Sequence, residues 1–194
     1  TSDDRTVIGK TTPKFSGGFG LNATYKGFDM SMFFNFMYDF DVLNANKIML
    51  TTWADNKENN FLMDIASDKR WRNFDDMGNE IRYSPEVLAE FNKNATMWNP
   101  TSIGRPICMS YAVEDGSFLR LNSATLGYTL PSVWTKKVGL SKVRFYVSGN
   151  NLFTLTGYSG YDPEVNIATG LTPNIDYNRY PRSRTYTFGA QLTF

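Results

Sequence analysis

The sequence has 194 residues, and its 20 lysine and arginine residues nearly balance 19 aspartate and glutamate residues, which leaves a formal net charge of +1. This balance lacks the basic excess that marks a nucleic-acid-binding surface. No histidine is present, so a Ser-His-Asp triad, histidine acid–base catalysis and a histidine-containing zinc site are excluded. No stretch approaches the ~18 consecutive apolar residues of a membrane helix, but an alternating β-barrel strand needs none.

The first predicted elements are two strands, over about 14–26 and 28–41, joined by a tight turn. In the first strand, apolar residues at odd positions alternate with glycine and small polar residues; in the second, the even positions from Phe28 to Phe40 are all Phe, Met or Tyr. This length exceeds the ~5–6 residues of an ordinary globular strand and fits the ~9–11 residues of a tilted membrane strand. In water, such an apolar face would promote aggregation.

A long connection, about 42–116, follows this hairpin. Segments 42–53 and 60–71 have helical composition, and Ser84-Pro85-Glu86 predicts a short helix with proline in its first turn. A connection of this length is uncommon within a compact soluble domain, whereas long outer loops are ordinary in membrane barrels.

Three further strands are predicted, over about 117–130, 142–151 and 182–194, with a second long connection over about 152–181. Leu119 and Leu121 fall in one parity and Leu126 in the other, which predicts a β-bulge near Asn122-Ser123. The last of these strands alternates most regularly, because every even position from 186 to 194 is apolar.

The connections alternate between short and long, as they do in outer-membrane barrels with short periplasmic turns and long extracellular loops. This pattern orients the second and fourth strands outward, places the first residues of the chain in an extracellular loop and places its last residues at the periplasmic side. Five strands cannot close a barrel, since the smallest barrels have ~8. We therefore expect the chain to be a segment of a larger barrel that does not fold on its own.

Six stretches carry a family resemblance through their residues, order and spacing. They are Ile8-Gly9 with Thr12–Phe15 and Gly17–Phe19, then DMSMFFNF (29–36), VEDGSFLRL (113–121), LGYTLP (126–131), YVSGNNLF (146–153) and YSGYDPEV (158–165). In these stretches the chain resembles the C-terminal end of SusC/RagA-type TonB-dependent outer-membrane transporters of Bacteroidota. The resemblance extends to everything except about 42–112.

The resemblance implies an all-β fold, a transmembrane antiparallel barrel of about 22 strands, of which this chain supplies the last five or so, with long and partly helical extracellular loops. It implies import of oligosaccharides or oligopeptides through the Gram-negative outer membrane. The implied partners include a SusD-like surface lipoprotein that acts as a lid, and outer-membrane lipid. A plug domain and the contact with the TonB complex belong to parts of the transporter outside this chain. The resemblance also implies a dimer of transporter–lipoprotein pairs. No nucleic acid, cofactor or enzymatic activity is implied.

Aromatic residues in the predicted outer loops are candidates for substrate contacts, because their rings stack on sugars or line a peptide channel. The alternative is packing within the loops or against the lid. The candidates are Trp53, Trp71, Trp98, Tyr111, Tyr158 and Tyr161.

The end of the chain resembles the assembly signal of outer-membrane proteins, a terminal aromatic residue preceded by alternating apolar residues. The residues of this predicted signal are Tyr186, Phe188, Leu192 and Phe194.

The loop acids predict neither a metal site nor a catalytic site. Asp162, Glu164 and Asn166 alternate like calcium ligands, but the bidentate glutamate and the glycine of a calcium loop are missing. No acid pair is singled out for glycoside hydrolysis. The remaining alternative to a transporter is a soluble β-rich carbohydrate-binding module, which would have shorter strands.

Overall fold

The computed structural model describes residues 5–52, 60–65, 69–102, 107–165 and 173–194. The chain divides into one unit of residues 1–43 with 113–194 and a second unit of residues 44–112. The strands are β1 (Phe15–Tyr25), β2 (Phe28–Tyr38), β3 (Asp41–Asn44), β4 (Val113–Asp115), β5 (Phe118–Thr129), β6 (Lys142–Thr156), β7 (Ile175–Asp176) and β8 (Thr185–Thr193). The α-helices are α1 (Ala45–Met49), α2 (Pro85–Asn92) and α3 (Ser132–Thr135). No helix within the described residues is long and apolar enough to cross a membrane.

Five long strands form one antiparallel sheet in the order β1-β2-β5-β6-β8. Three of its strands differ from the predicted bounds by three residues or more at one end, and one of them, β8, begins at Thr185 instead of about 182. Strand β2 ends at Tyr38 because Asp39 adopts a φ of 63° and its backbone N–H donates to the Ser117 hydroxyl at 2.9 Å. Strand β6 continues to Thr156 instead of ending near 151. Asn151 adopts a φ of 54° where the ladder shifts register, and pairing then resumes beyond the predicted end of the strand.

The strand register separates the five-stranded sheet into an apolar face and a polar face. The apolar face contains the aromatic and aliphatic residues at alternate positions, including Phe19, Leu21, Met30, Met32, Phe34, Leu126, Phe145, Val147, Phe188 and Leu192. The polar face contains the intervening residues, including Ser16, Asn22, Asp29, Ser31, Asn35, Arg120, Thr125, Arg144, Ser148, Thr187 and Gln191. Two faces of opposite character are what a membrane barrel wall requires, with lipid outside and a polar interior.

A β-bulge at Asn122 keeps the apolar face continuous across β5. Phe34 pairs with Leu121, whereas the preceding residue of β2, Phe33, pairs with Ser123, so Asn122 is the extra residue. The bulge restores the parity, and Leu121 therefore shares a face with Leu126 despite their odd separation. The predicted bulge is confirmed at this position.

A small sheet and a buried cluster lie at the end of the long sheet where the long connections leave it. Strand β3 lies between β4 and β7. The cluster consists of Phe40, Val42, Phe118, Tyr158 and Val165. Gly116 permits this packing, since a Cβ there would lie 2.5 Å from the Phe40 ring and 2.7 Å from Val42.

The described part of the second unit contains less helix than its composition predicts. Among the described residues of 42–53 the helix is limited to α1, and within 60–71 Met63–Ile65 forms a 3-10 turn. The helix predicted after Ser84 is present as α2, with Pro85 in its first turn. Buried Asn92 joins α2 to an extended segment: its Oδ1 accepts from the Arg72 N–H at 2.7 Å and its Nδ2 donates to the Arg72 carbonyl at 2.9 Å.

We expect an arginine on the apolar face to impair barrel assembly more than an arginine on the polar face of the same strand. Phe34→Arg places a charge in hydrocarbon near mid-strand, which costs ~2–4 kcal/mol, whereas Ser31→Arg points to the polar side. In the full-length protein, the fraction that migrates as heat-modifiable folded barrel should fall strongly for Phe34→Arg and little for Ser31→Arg. Equal losses from the two variants would contradict the assignment of the faces.

Candidate functional site

The polar face carries an ion pair that spans three strands. Arg144 of β6 reaches Asp29 of β2, with its Nε 2.9 Å from Oδ1 and its Nη2 2.5 Å from Oδ2. Between them lies Gly127 of β5, where a Cβ would collide with the guanidinium group. A bidentate arginine–carboxylate pair is among the stronger protein hydrogen-bonding arrangements. The pair therefore joins β2 to β6 across the intervening strand.

Other large side chains of the polar face also lie over glycines of a neighbouring strand. The Tyr146 ring, which lies beneath the Arg144 guanidinium at 5.2 Å, occupies the space above Gly189 of β8. The Phe33 ring lies over Gly18 of β1, where a Cβ would come within 2.8 Å of it. These side chains therefore lie along the sheet.

A buried arginine fastens a loop to the other end of the polar face. Arg120 of β5, whose side chain is 1% exposed, forms a hydrogen-bonded ion pair with Asp162. Its Nη2 is 3.7 Å from Glu164 Oε2, and the other carboxylate oxygen of Glu164 binds Arg182 at 2.8 Å. Since Asp162 also accepts the Glu164 N–H at 2.9 Å, the loop backbone is held together with its side chains.

The same loop is held at its start by Glu114 and by a buried tyrosine. The Ser159 N–H and hydroxyl both donate to the Glu114 carboxylate at 2.9 Å. The Tyr158 hydroxyl donates to Asp176 at 2.7 Å, and both residues are buried. Burial, together with this hydrogen bond, raises the pKa of the Tyr158 phenol well above its ordinary value, so the phenol remains a donor at physiological pH.

Two of the predicted substrate aromatics, Trp98 and Tyr111, lie together in the second unit. Trp98 and Tyr111 contact each other edge to face, with ring centroids 5.2 Å apart. Both are also engaged in packing: the Trp98 indole N–H donates to the Thr51 carbonyl at 2.9 Å, and the Tyr111 hydroxyl donates to Asp64 at 2.8 Å.

Burial separates the remaining aromatic candidates. Tyr158 is only 6% exposed and belongs to the core, which argues against a substrate contact there. Trp71 and Tyr161 are 41% and 83% exposed, so their rings are accessible. Trp53 lies outside the described residues.

The residues of the predicted assembly signal belong to the last strand of the long sheet or follow it directly. Tyr186, Phe188 and Leu192 lie on the apolar face of β8, and Phe194 follows that strand. All four side chains are exposed. In the described part of the chain, the other edge of β8 pairs with no strand.

The loop acids have structural partners. Asp75 accepts hydrogen bonds from the Asn79 side chain at 2.9 Å and from the Asn79 N–H at 2.7 Å, which lowers the pKa of its carboxyl group. Among the described residues, no group of three or more Cys, Asp or Glu side chains is arranged to hold a metal ion.

Residue-type reasoning missed the residues that organise the polar face. Asp29, Arg120 and Gly127 appeared there only as parts of the resembling stretches 29–36, 113–121 and 126–131. The available signal was that Asp29 and Arg144 carry opposite charges on the polar faces of their strands. Pairing them, however, requires the strand order and register.

The chain is similar to several known proteins. No protein-family model matches the chain. It is 35% identical over 197 residues to TonB-dependent receptor P3 of Formosa agariphila, covering 98% of this chain and 17% of that receptor. It is 38% identical over 88 residues to TonB-dependent receptor SusC of Bacteroides thetaiotaomicron, covering 43% of this chain and 8% of SusC. It superposes on a chain of the RagAB peptide importer in the open-open state with a TM-score of 0.68 and 26% identity, covering 95% of this chain and 17% of that chain.

Removing the Asp162 carboxylate should loosen the loop that Arg120 holds. In Asp162→Asn, the buried guanidinium retains the Asn151 Oδ1 at 3.3 Å and, as its carboxylate partner, only the more distant Glu164. Breaking a buried pair costs ~3–5 kcal/mol. We expect a loss of about 3 kcal/mol in local stability, measured in the full-length protein as roughly 100-fold faster hydrogen exchange of the amides at 158–165. Arg182→Met, which removes a half-exposed partner, should change this rate little. A smaller effect of Asp162→Asn than of Arg182→Met would refute the assignment.

Tyr158 and Tyr161 should respond in opposite ways. Tyr158→Phe removes the donor to buried Asp176 and should cost ~1.5–3 kcal/mol of stability, with cargo affinity unchanged. Tyr161→Ala, at an exposed position, should leave stability within ~0.5 kcal/mol and weaken cargo binding. Thermal unfolding and equilibrium binding of the full-length protein measure the two effects, and a weaker affinity in Tyr158→Phe than in Tyr161→Ala would contradict the prediction.

Proposed function

Because the chain belongs to the SusC/RagA-type TonB-dependent outer-membrane transporters, we propose that the transporter containing it imports oligosaccharides or oligopeptides with energy supplied through TonB. The chain spans about 17% of the length of the full-length relatives it matches. Its own part is a segment of the barrel wall together with two extracellular loops. Energy coupling belongs to other segments of the protein.

The single observation that carries this proposal is the sheet of five long strands with one apolar and one polar face, joined to similarity with a TonB-dependent receptor over 98% of the chain. A soluble carbohydrate-binding module would leave the apolar face in water, where an exposed sheet face of this size promotes association. A lipid environment removes that cost.

The fold suggests how this segment works within the transporter. The polar face lines the interior, and the ion pair between Asp29 and Arg144 keeps its wall intact while cargo and plug move past it. The loop held by Arg120 and Glu114 supplies a fixed extracellular surface. Such a surface is suited to a SusD-like lipoprotein lid, which would close over the barrel, and two transporter–lipoprotein pairs would form the dimer.

The cargo class is the open part of the proposal, and each class has one line of support. One solved neighbour is a peptide importer. Exposed Trp71 and Tyr161 offer rings that would stack on sugars. Neither a sugar nor a peptide requires chemistry from this chain, so its role is binding and passage, without catalysis.

Uptake by cells tests the function directly. A strain that lacks the full-length transporter should lose import of one of two labelled pools, mixed oligosaccharides or mixed oligopeptides, and regain it with the wild-type gene. Import should cease when a protonophore collapses the inner-membrane proton gradient. Co-purification of a surface lipoprotein with the transporter tests the lid. A transporter found in the soluble fraction, or uptake that survives the protonophore, would overturn the proposal.

We also expect Phe194 to act in assembly. Phe194→Ser should lower the amount of heat-modifiable barrel in the outer membrane several-fold, because the last strand must find its partner to remove two open edges. Tyr180→Ser serves as the control, since Tyr180 is a similarly exposed aromatic residue in a loop. Normal levels of inserted Phe194→Ser protein would show that Phe194 is not part of the signal.

A further inference from the structure

The second unit contains a cleft of about 550 Å³, which lies between residues 69–72 and the C-terminal end of α2 with the residues that follow it. This volume falls within the ~300–1,000 Å³ of pockets that hold small ligands. Among the described residues that line the cleft, Lys69, Arg72 and Lys93 are cationic and Glu90 is acidic. The cleft therefore has a net positive charge, in a chain whose charges are otherwise nearly balanced.

Hydrogen bonds fix the two walls of the cleft relative to each other. Asn92, the last residue of α2, is buried, and its side chain binds both the N–H and the carbonyl of Arg72. The Lys69 carbonyl accepts from the N–H groups of Thr96 and Met97 at 2.9 and 2.8 Å. Because the walls are already ordered, a ligand in the cleft would not lose affinity to the ordering of this backbone.

The acid in the cleft and one of its lysines compensate each other. Glu90 Oε1 is 2.5 Å from Lys93 Nζ, three residues further along the chain. Arg72 Nη1 is 2.7 Å from Asp76 Oδ1, but the Asp76 side chain is 79% exposed, so water screens this pair. With Glu90 matched to Lys93 and Asp76 held in solvent, the positive charge available to a ligand is that of Lys69 and Arg72.

Lys69 and Arg72 also have hydrogen-bond donors to offer. Within the part of the chain that the structure describes, the Lys69 ammonium group has no hydrogen-bond or ion-pair partner, and Arg72 uses only Nη1 of its guanidinium group. The guanidinium carbon lies 5.4 Å from the centroid of the Phe91 ring, which holds the group on the wall of the cleft. An ammonium group and an oriented guanidinium group in one cleft are suited to carboxylate or sulfate oxygens.

The other groups of the cleft favour a sugar over a peptide. An extended peptide binds by pairing with free N–H and C=O groups along a strand edge, but the Lys69 carbonyl and both backbone groups of Arg72 are already paired. Recognition therefore depends on side chains. Asn94 and Thr96 add an amide and a hydroxyl group to the lining, and such groups exchange hydrogen bonds with the hydroxyl groups of a sugar.

We propose that the cleft binds an acidic oligosaccharide, whose sugars carry carboxylate or sulfate ester groups, and that Lys69 and Arg72 bind these groups. The inference rests on the proposed function, because it identifies the cargo that the extracellular part of the transporter captures. Asn94 and Thr96 bind the sugar hydroxyl groups beside the charged group. Since charge attracts this cargo, its affinity falls as the salt concentration rises.

Binding of defined oligosaccharides tests the charge requirement. The full-length transporter would be purified in detergent, and its equilibrium affinity measured for oligogalacturonate, for the methyl ester of the same oligosaccharide, and for sulfated and unsulfated dextran oligosaccharides. We expect at least one of the two charged sugars to bind at least tenfold more tightly than its uncharged form, a difference of about 1.4 kcal/mol. Which charged sugar binds identifies carboxylate or sulfate ester as the recognised group.

Substitutions in the second unit locate this binding in the cleft. Lys69→Met and Arg72→Met should each weaken the affinity for the charged sugar about tenfold or more, whereas Lys69→Arg, which keeps the charge, should bind like the wild type. Arg82→Met is the matched control and should leave the affinity unchanged. Arg82 belongs to the same unit, binds Glu80 at 2.7 Å and lies near the Tyr83 ring, but it does not line the cleft.

Three results would overturn the inference. They are equal affinities for the charged and uncharged sugars, equal affinities of Lys69→Met, Arg72→Met and Arg82→Met for the charged sugar, and binding of oligoglutamate that is tighter than that of either charged sugar. A transporter that imports oligopeptides alone, in a protonophore-sensitive manner, would refute this inference and leave the proposed function intact. A protein found in the soluble fraction would refute the proposed function itself.

Discussion

The absence of water in the hydrocarbon core governs the rest of this structure. A strand in lipid must satisfy every backbone N–H and C=O through its neighbours, so the strands are long, regular and paired over nearly their whole length. Side chains then alternate between lipid and interior, and a slip of one residue would exchange the two faces. The bulge at Asn122 is the place where the chain absorbs an odd residue without that exchange.

The polar face shows how a thin wall is stiffened without filling the interior. Arg144 and Tyr146 lie along the sheet over Gly127 and Gly189, so their contacts run sideways between strands. At the end of the wall near the loops, the ion pair between Arg120 and Asp162 also stabilises the structure. Because Arg120 is buried, its charge must be compensated by Asp162. The wall is therefore held by a partly exposed ion pair at one end and by an ion pair with a buried arginine at the other.

Much of the sheet was predictable because period-two alternation is a local property. Strands β1, β2 and β8 could be read from alternation alone, and the parity change between Leu121 and Leu126 located the bulge. The candidate site was less accessible. Asp29 and Arg144 are 115 residues apart, so only the strand order brings them together. Tyr158 looked like any other loop aromatic, since its burial depends on Phe40 and Phe118, which are distant in sequence.

The glycines beneath the large polar-face side chains have an evolutionary consequence. A side chain at position 127 and a long arginine at position 144 cannot occupy the same space, and the same holds for positions 189 and 146. Across a set of relatives, these positions should therefore covary in pairs: a residue larger than glycine on one strand should accompany a shorter residue on the next. Such covariation would show from sequences alone which positions face each other on adjacent strands. It would therefore give the strand register in relatives whose loops can no longer be aligned.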